Sequence, residues 1–394
     1  MHDDWQRFVA EELDRLAEDH LLRRRRVVRI LDATHLEVDG QQYVNFASNN
    51  YLGLTHHPRV VSAMARAVEA HGTGSAASPL ITGHTTTHAA AEQRLAAWKG
   101  TEAAVLLPSG YQANLAAVQT LAAIGERTAG GVRFLLDKLV HASLIDAVRM
   151  TGQPFRVFPH DNLDKLERLL READGAQRQV VLTESIFSMD GDAADLRGLA
   201  ELKRRHGFML LLDEAHASGV YGPGGAGLAA ELGLNELADV TVVTLSKALG
   251  CGGGVVCASA IFVEALVNFA RAYIYSTAVP PPLAAAAEAA LEVLHDEPER
   301  RERLRSLAND VRNRLSAAGL QLPPGDSPIL PIVLGNEKAA LSAAESLQLA
   351  GLWTLPIRPP TVPRGTSRLR ITLSSQHSDD EIGQLLRAVS ALPK

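Results

Sequence analysis

The residues that could do chemistry gather around Lys247, which stands just beyond an apolar, β-branched run, Val240-Thr-Val-Val-Thr244, and shortly before Gly252-Gly253-Gly254. Such a run reads as a buried strand. An ammonium at its mouth is costly to desolvate, and desolvation favours the neutral amine, the nucleophile that forms a Schiff base with a carbonyl. Phe208-Met-Leu-Leu-Leu212 repeats the pattern and ends in the carboxylate Asp213, with His216 three residues on. The run at 132–136 leads to His141, and the run at 180–182 leads to Glu184 and Ser188. Another run, at 103–107, opens into Pro108-Ser109-Gly110-Tyr111-Gln112-Ala113-Asn114, a strand-to-helix turn. The backbone N–H groups of Gly110 and Tyr111 there suit a phosphate, with the hydroxyls of Thr244 and Ser188 in support. Taken singly, each has a plainer reading: Asp213 as a helix N-cap, His141 as a structural histidine, Ser109-Gly110 as a turn. Their common position at strand ends is what argues for a site.

The elements that must position these groups alternate. From residue 58, helical stretches separate apolar runs at 103–107, 132–136, 180–182, 209–212 and 240–245. Near-continuous apolar strands with helices between them predict an α/β fold, a mostly parallel sheet covered by helices on both faces. Ligands of open α/β sheets collect outside the carboxyl ends of the strands, where these side chains fall. Before this region, residues 4–26 read as an amphipathic helix carrying Phe8, Val9, Leu13, Leu16 and Leu21 and ending in Arg23-Arg24-Arg25-Arg26. Short strands follow, two of them joined by the hairpin signal Asp39-Gly40. After Pro280-Pro281-Pro282 come two helices and a smaller α+β pattern. The expected organisation is an N-terminal helix and hairpin arm at 1–48, a large domain at 49–285 and a small C-terminal α+β domain at 286–394. In that last part Pro359 pushes Arg358 into an extended conformation, presenting a guanidinium fork suited to a carboxylate. The run at 368–373 alternates Arg368, Arg370 and Thr372 with Leu369, Ile371 and Leu373, which predicts one polar and one core face.

Bulk properties narrow the classes. The chain has 394 residues, enough for a large core, and a net charge of −6, which argues against a nucleic-acid surface. Cys251 and Cys257 are too few for a disulfide framework or a structural zinc site and read as packing residues in a reducing compartment. The polar, acidic start is no secretory signal, and no apolar run spans a bilayer, so no membrane is expected and the cytoplasm is. Gly222-Pro223-Gly224-Gly225-Ala226-Gly227 matches the dinucleotide fingerprint in form only, because Pro223 removes an N–H where phosphate donors are wanted. His84 and His88 share a helical spacing but lack the metalloprotease glutamate, so no metal is expected.

Several longer segments carry a family resemblance: Ser48-Asn49-Asn50-Tyr51-Leu52-Gly53-Leu54, Glu184-Ser185-Ile186-Phe187-Ser188-Met189-Asp190-Gly191-Asp192, Asp213-Glu214-Ala215-His216 and Thr244-Leu245-Ser246-Lys247. Together they resemble the α-oxoamine synthases among the fold-type-I pyridoxal phosphate enzymes. The segment from Ile357-Arg358-Pro359-Pro360-Thr361 to Arg368-Leu369-Arg370-Ile371-Thr372 is most similar to the biotin-pathway branch. The resemblance implies that Lys247 holds pyridoxal 5′-phosphate covalently, that Asp213 pairs with its pyridine nitrogen and that His216 reaches its ring hydroxyl. It implies that His141 stacks on the ring and that Thr277 contacts the phosphate across a homodimer interface. Arg358 would bind the amino-acid carboxylate with Asn49 nearby, and Thr361 and Arg23 would contact the substrates. The implied reaction is a decarboxylating condensation of L-alanine with pimeloyl-CoA, or pimeloyl carrier protein, giving 8-amino-7-oxononanoate. The 2-amino-3-ketobutyrate ligases, 5-aminolevulinate synthases and sphinganine-type synthases share this machinery and are the alternatives within the class. A subunit that has lost catalysis is the alternative outside it, and such a chain is expected to lose the lysine. Two positions depart from the family pattern: Pro79 stands where an arginine is frequent and Asn50 where an aspartate is common.

Overall fold

The apolar runs pair into one seven-stranded sheet in the computed structural model, which describes residues 2–172 and 176–392. Its strands in chain order are β1 (Ala103–Leu107), β2 (Val132–Asp137), β3 (Phe155–Phe158), β4 (Arg178–Glu184), β5 (Met209–Asp213), β6 (Val240–Thr244) and β7 (Gly254–Ala258). Side by side they run β1-β7-β6-β5-β4-β2-β3. Neighbours from β6 through β3 are parallel, whereas β7 lies antiparallel between β6 and β1. The sequence reading missed β3 and β7. β3 is a short edge strand with only Phe158 buried, so it lacks a continuous apolar signal. β7 is wholly buried but follows the glycine cluster directly, which reads as loop. The helix Gly110–Gly125 lies close on the sheet because its inner face is alanine: Ala113, Ala116 and Ala117 are fully buried in the main core.

The chain forms two compact units. The sheet unit comprises residues 50–188 and 192–305; the other comprises residues up to Asn49, Met189–Gly191 and the chain from Ser306. Residues 286–305, expected in the C-terminal domain, fold with the sheet unit. The prolines at 280–282 do not interrupt the chain; they begin the helix Pro281–Asp296, as proline's fixed φ permits in a first turn.

Within the second unit, the strands Arg29–Ile30, His35–Val38 and Gln41–Asn45 are antiparallel, and Leu352–Trp353 adds parallel to the last. Val38 pairs with Gln41 across Asp39 and Gly40, whose φ values of 51° and 80° match the twist a two-residue hairpin requires. A three-stranded antiparallel sheet has Ser367–Thr372 between Ile329–Gly335 and Pro356–Ile357. Two expectations are corrected here. The N-terminal helix runs only over His2–Glu18, and the arginine run lies beyond it without helical structure. The expected polar face of Ser367–Thr372 is buried. Arg368 donates to Asp190 Oδ1 at 2.5 Å and Arg370 to Asn49 Oδ1 at 3.0 Å, so partnered guanidinium groups replace a solvated face.

His377 sits buried in this unit, stacked on Phe46, accepting from Ser374 N at Nδ1 and bonding to Asn45 O through Nε2. Burial pushes its protonation down to about 4. Above pH 6.5 the ring is neutral folded or unfolded; below it only the unfolded chain gains the proton. Stability is therefore expected to fall by up to about 1.4 kcal/mol per pH unit between 6.5 and 4 from this group. Urea midpoints across that window should show the slope, and His377→Gln should flatten it.

Candidate active site

Because β2, β4, β5 and β6 are parallel, their carboxyl ends share one edge of the sheet. Glu184 and Asp213 are register partners at the tips of β4 and β5. Asp213 is buried; its Oδ1 accepts from Ala215 N at 2.9 Å and its Oδ2 from Asn114 Nδ2 at 2.7 Å. A carboxylate has about four lone-pair sites, so these two bonds leave capacity for a further cationic N–H. Lys247 Nζ lies 2.8 Å from His216 Nε2, and His216 Nδ1 lies 2.6 Å from the Tyr51 hydroxyl. If the lysine donates as an ammonium, the imidazole proton sits on Nδ1, facing Tyr51.

His141 caps the helix Ala142–Thr151. Its backbone N–H donates to Glu184 Oε1 at 2.5 Å, and its Nδ1 lies 2.7 Å from Ser143 Oγ. Desolvation holds the imidazole below the ordinary histidine range, with the Lys247 charge in support and Asp213 pulling the other way. Glu184 is driven well above the usual carboxylate range by complete burial and by the neighbouring Asp213 charge. Its carboxyl accepts from the backbone at His141 and Ser188.

The anion cradle is built by close backbone approach. Ser109 Oγ caps the helix Gly110–Gly125 by accepting from Gln112 N at 3.2 Å. A Cβ on Gly110 would fall 2.0 Å from Thr244 Oγ1, and one on Gly254 would fall 2.6 Å from Gly110 N. Both glycines let the helix start rest on the ends of β6 and β7, which sets Thr244 beside the first N–H groups. Tyr111 is exposed and donates through its hydroxyl to Asp146 Oδ2 at 2.7 Å, and Ser188 is buried beyond β4. Thr277 is exposed after the short helix Arg271–Ile274.

In the second unit the structure brings Arg23, Arg358 and Thr361 together. Arg23 donates to Pro359 O at 3.1 Å and lies 3.5 Å from Thr361 Oγ1, while Arg358 donates to the carbonyls of His20 and Leu22. Asn49 accepts from Arg370. The sequence reading did not assign roles to Asn114, Ser143, Glu184 or Tyr51, all buried and all hydrogen-bonded to site residues. Asn114 lies one helical turn after Gly110 and Ser143 two residues after His141, which was the available signal. Elsewhere, Gly222–Gly227 forms a loop whose Gly224 carbonyl accepts from the Trp98 indole. His84 pairs with Glu92, and His88 bonds to Val279 O. Both cysteine thiols are buried and pushed up to about 12, as packing residues would be.

A mostly parallel sheet with a lysine beyond one tip, a buried carboxylate at the next and a helix start beside them is the fold-type-I arrangement of pyridoxal phosphate-dependent transferases. The chain belongs to the aminotransferase class I and II family, whose sequence pattern matches residues 41–389. It is 42% identical over 379 residues to an 8-amino-7-oxononanoate synthase of Cellvibrio japonicus, covering 96% of this chain and 94% of the relative. It is 44% identical over 389 residues to that of Anaeromyxobacter dehalogenans, covering 99% and 95%. Among solved structures, a lysine-to-alanine variant of the serine palmitoyltransferase of S. paucimobilis with a bound PLP–myriocin aldimine superposes with a TM-score of 0.90 at 30% identity, covering 98% of this chain and 96% of that one.

The donor set fits such a cofactor. It offers an amine for the aldehyde, a buried carboxylate with spare acceptor capacity for the ring nitrogen, and a helix start stripped of a Cβ for the phosphate.

Proposed function

We propose that this protein is a pyridoxal 5′-phosphate-dependent acyltransferase that condenses L-alanine with pimeloyl-CoA, or pimeloyl carrier protein. Carbon dioxide is lost, and the product is 8-amino-7-oxononanoate for biotin synthesis. The observation that carries this reading is full-length similarity to relatives of that activity in a chain that keeps Lys247 and Asp213 at adjoining strand ends.

When bound, the cofactor supplies the carbonyl that receives an amine and the cationic ring that draws electrons from the substrate carbon. Lys247 would be its covalent anchor and, as a free amine, the base suited to take the substrate α-proton. His216, 2.8 Å from Nζ, orients that amine. Asp213 keeps the ring nitrogen protonated by a charge-assisted hydrogen bond. The N–H groups of Gly110 and Tyr111 hold the phosphate, with Thr244 and Ser188 adding hydroxyls. His141 covers the ring and polarises the thioester carbonyl. Arg358 receives the alanine carboxylate. Its two bonds to backbone carbonyls leave further N–H groups of the five-donor guanidinium available. Asn49, Thr361 and Arg23 contact the substrates, and Thr277 reaches the phosphate of a second copy in a cytoplasmic homodimer. Among the described residues no helix is long and apolar enough to cross a membrane.

A second reading, another α-oxoamine synthase acting on serine or glycine, is favoured by the close superposition on serine palmitoyltransferase. A coenzyme-A-release assay separates the two. Alanine, glycine and serine are crossed with acyl thioesters of several lengths, and release is expected only with alanine and the pimeloyl thioester. Faster release with serine and a long-chain thioester would transfer the assignment to the second reading.

A further inference from the structure

His141 is tied to Asp213 by a buried hydrogen-bond chain through two residues that have no role in the reading above. Asn114 Nδ2 donates to Asp213 Oδ2 at 2.7 Å and to Ser143 Oγ at 2.9 Å, and Ser143 Oγ lies 2.7 Å from His141 Nδ1. Asn114 and Ser143 are both buried, at 2% and 0% exposure. The Asn114 end of this chain has one workable direction. An Asn114 amide turned the other way would set its oxygen against the Asp213 carboxylate, acceptor facing acceptor. Its Oδ1 instead points where no hydrogen-bond partner lies among the described residues, so the orientation is held by Asp213 and Ser143 alone. Ser143 Oγ accepts from Asn114 and still holds one proton, which it gives to His141 Nδ1 whenever that nitrogen is bare. The Ser143 backbone N–H donates to the same Nδ1 at 3.2 Å. An imidazole nitrogen receiving two donors cannot itself carry a proton.

We propose that Asn114 and Ser143 are positioning residues that hold His141 as the neutral tautomer protonated on Nε2. The ring then offers Nε2–H as its one donor. It is suited to a carbonyl oxygen or oxyanion of the substrate and unsuited to removing a proton. The charged groups that set the ring's titration are Asp213 on β5, Lys247 beyond β6 and Asp146 on its own helix, while Glu184 at the tip of β4 faces the His141 backbone N–H. Asp213 and Asp146 favour the imidazolium, whereas Lys247 and desolvation oppose it. What Nε2–H meets during turnover rests on the proposed function. The tautomer is a property of the chain.

Long-range 1H–15N spectra of histidine-labelled protein, with and without pyridoxal phosphate, test this directly, His141 being assigned by its absence in His141→Gln. The expected wild-type pattern is a protonated Nε2 and a bare Nδ1 near neutral pH. Ser143→Ala should mix the tautomers and raise the His141 midpoint by about half to one pH unit, the worth of a lost hydrogen bond to the neutral ring. Ser143→Thr, which keeps the hydroxyl, should restore both, and Asn114→Ala should move them in the same direction as Ser143→Ala. A proton on Nδ1 in the wild type would overturn the proposal, and so would an unchanged tautomer and midpoint in a folded Ser143→Ala. The wild-type spectrum decides the tautomer even if a variant fails to fold. Failure of the functional reading would show separately, as wild-type protein that releases no coenzyme A.

Discussion

Replacing Lys247 by alanine is expected to lower turnover by about 10⁴-fold or more, the order lost when one group serves as both covalent anchor and general base. The variant should still take up pyridoxal phosphate noncovalently, because Asp213, the helix start at Gly110 and the hydroxyls of Thr244 and Ser188 are untouched. Its stability should change little: Lys247 is half-buried, and His216 keeps its bond to Tyr51 when the amine is gone. Another lysine, with a buried side chain, could be mistaken for the anchor. Lys99 lies against Glu214 at 2.6 Å with both side chains buried, and it also donates to Ala226 O. An ammonium locked in a buried pair is not a free nucleophile, since losing its proton would strand the carboxylate. Borohydride treatment of the loaded wild-type protein, followed by peptide mass analysis, should therefore place the reduced adduct on Lys247 and none on Lys99. Coenzyme-A release by Lys247→Ala at the wild-type rate, or an adduct on another lysine, would end the assignment.

What was legible in the sequence follows from which forces act locally. β2, β4, β5 and β6 are buried on both faces, so they appear as continuous apolar runs, and the chemistry begins where those runs stop. β3 was not legible because an edge strand is half solvated. The same limit explains Arg368 and Arg370: alternation marks two faces, but not that a partner distant in sequence, such as Asp190 or Asn49, will cover the polar one. The N-terminal helix was overextended because an apolar period persists through Leu21, whereas the helix stops at Glu18 and the chain turns at His20, with φ 58°. Asn114 and Ser143 illustrate the limit within the site. Their identities suit a helix interior and a helix start equally well, and only the packing of the helix Gly110–Gly125 against β6 and the helix Ala142–Thr151, with Asp213 in reach, gives their hydrogen bonds a direction.

Asp213→Asn is the second variant with a large expected effect. An asparagine keeps the shape and removes the charge, and it also disturbs the bonds that fix the side chain. Asp213 now accepts at both oxygens, from Ala215 N and from Asn114 Nδ2. An amide has one oxygen, so its NH₂ must face one of those donors, and that contact is lost or forced apart. Glu184, the nearest carboxyl in register, is a poor substitute for the counter-charge, because burial disfavours its charged form and it already accepts from the backbone at His141 and Ser188. Turnover is expected to fall by about 10²–10³-fold, the order seen when one preorganised group facing developing charge is removed. Pyridoxal phosphate affinity should fall by about 10- to 150-fold, corresponding to about 1.5–3 kcal/mol for a hydrogen bond to a charged group. Asp213→Glu keeps the charge on a longer arm. It should lose affinity through misplacement while retaining more turnover than the asparagine, which separates charge from fit. Steady-state coenzyme-A release and cofactor titration measure the two quantities, with a thermal melt to show that the sheet is intact. Wild-type turnover and affinity in folded Asp213→Asn would mean that the ring nitrogen needs no anion here, and the arrangement of β4, β5 and β6 tips would then have to serve a different ligand.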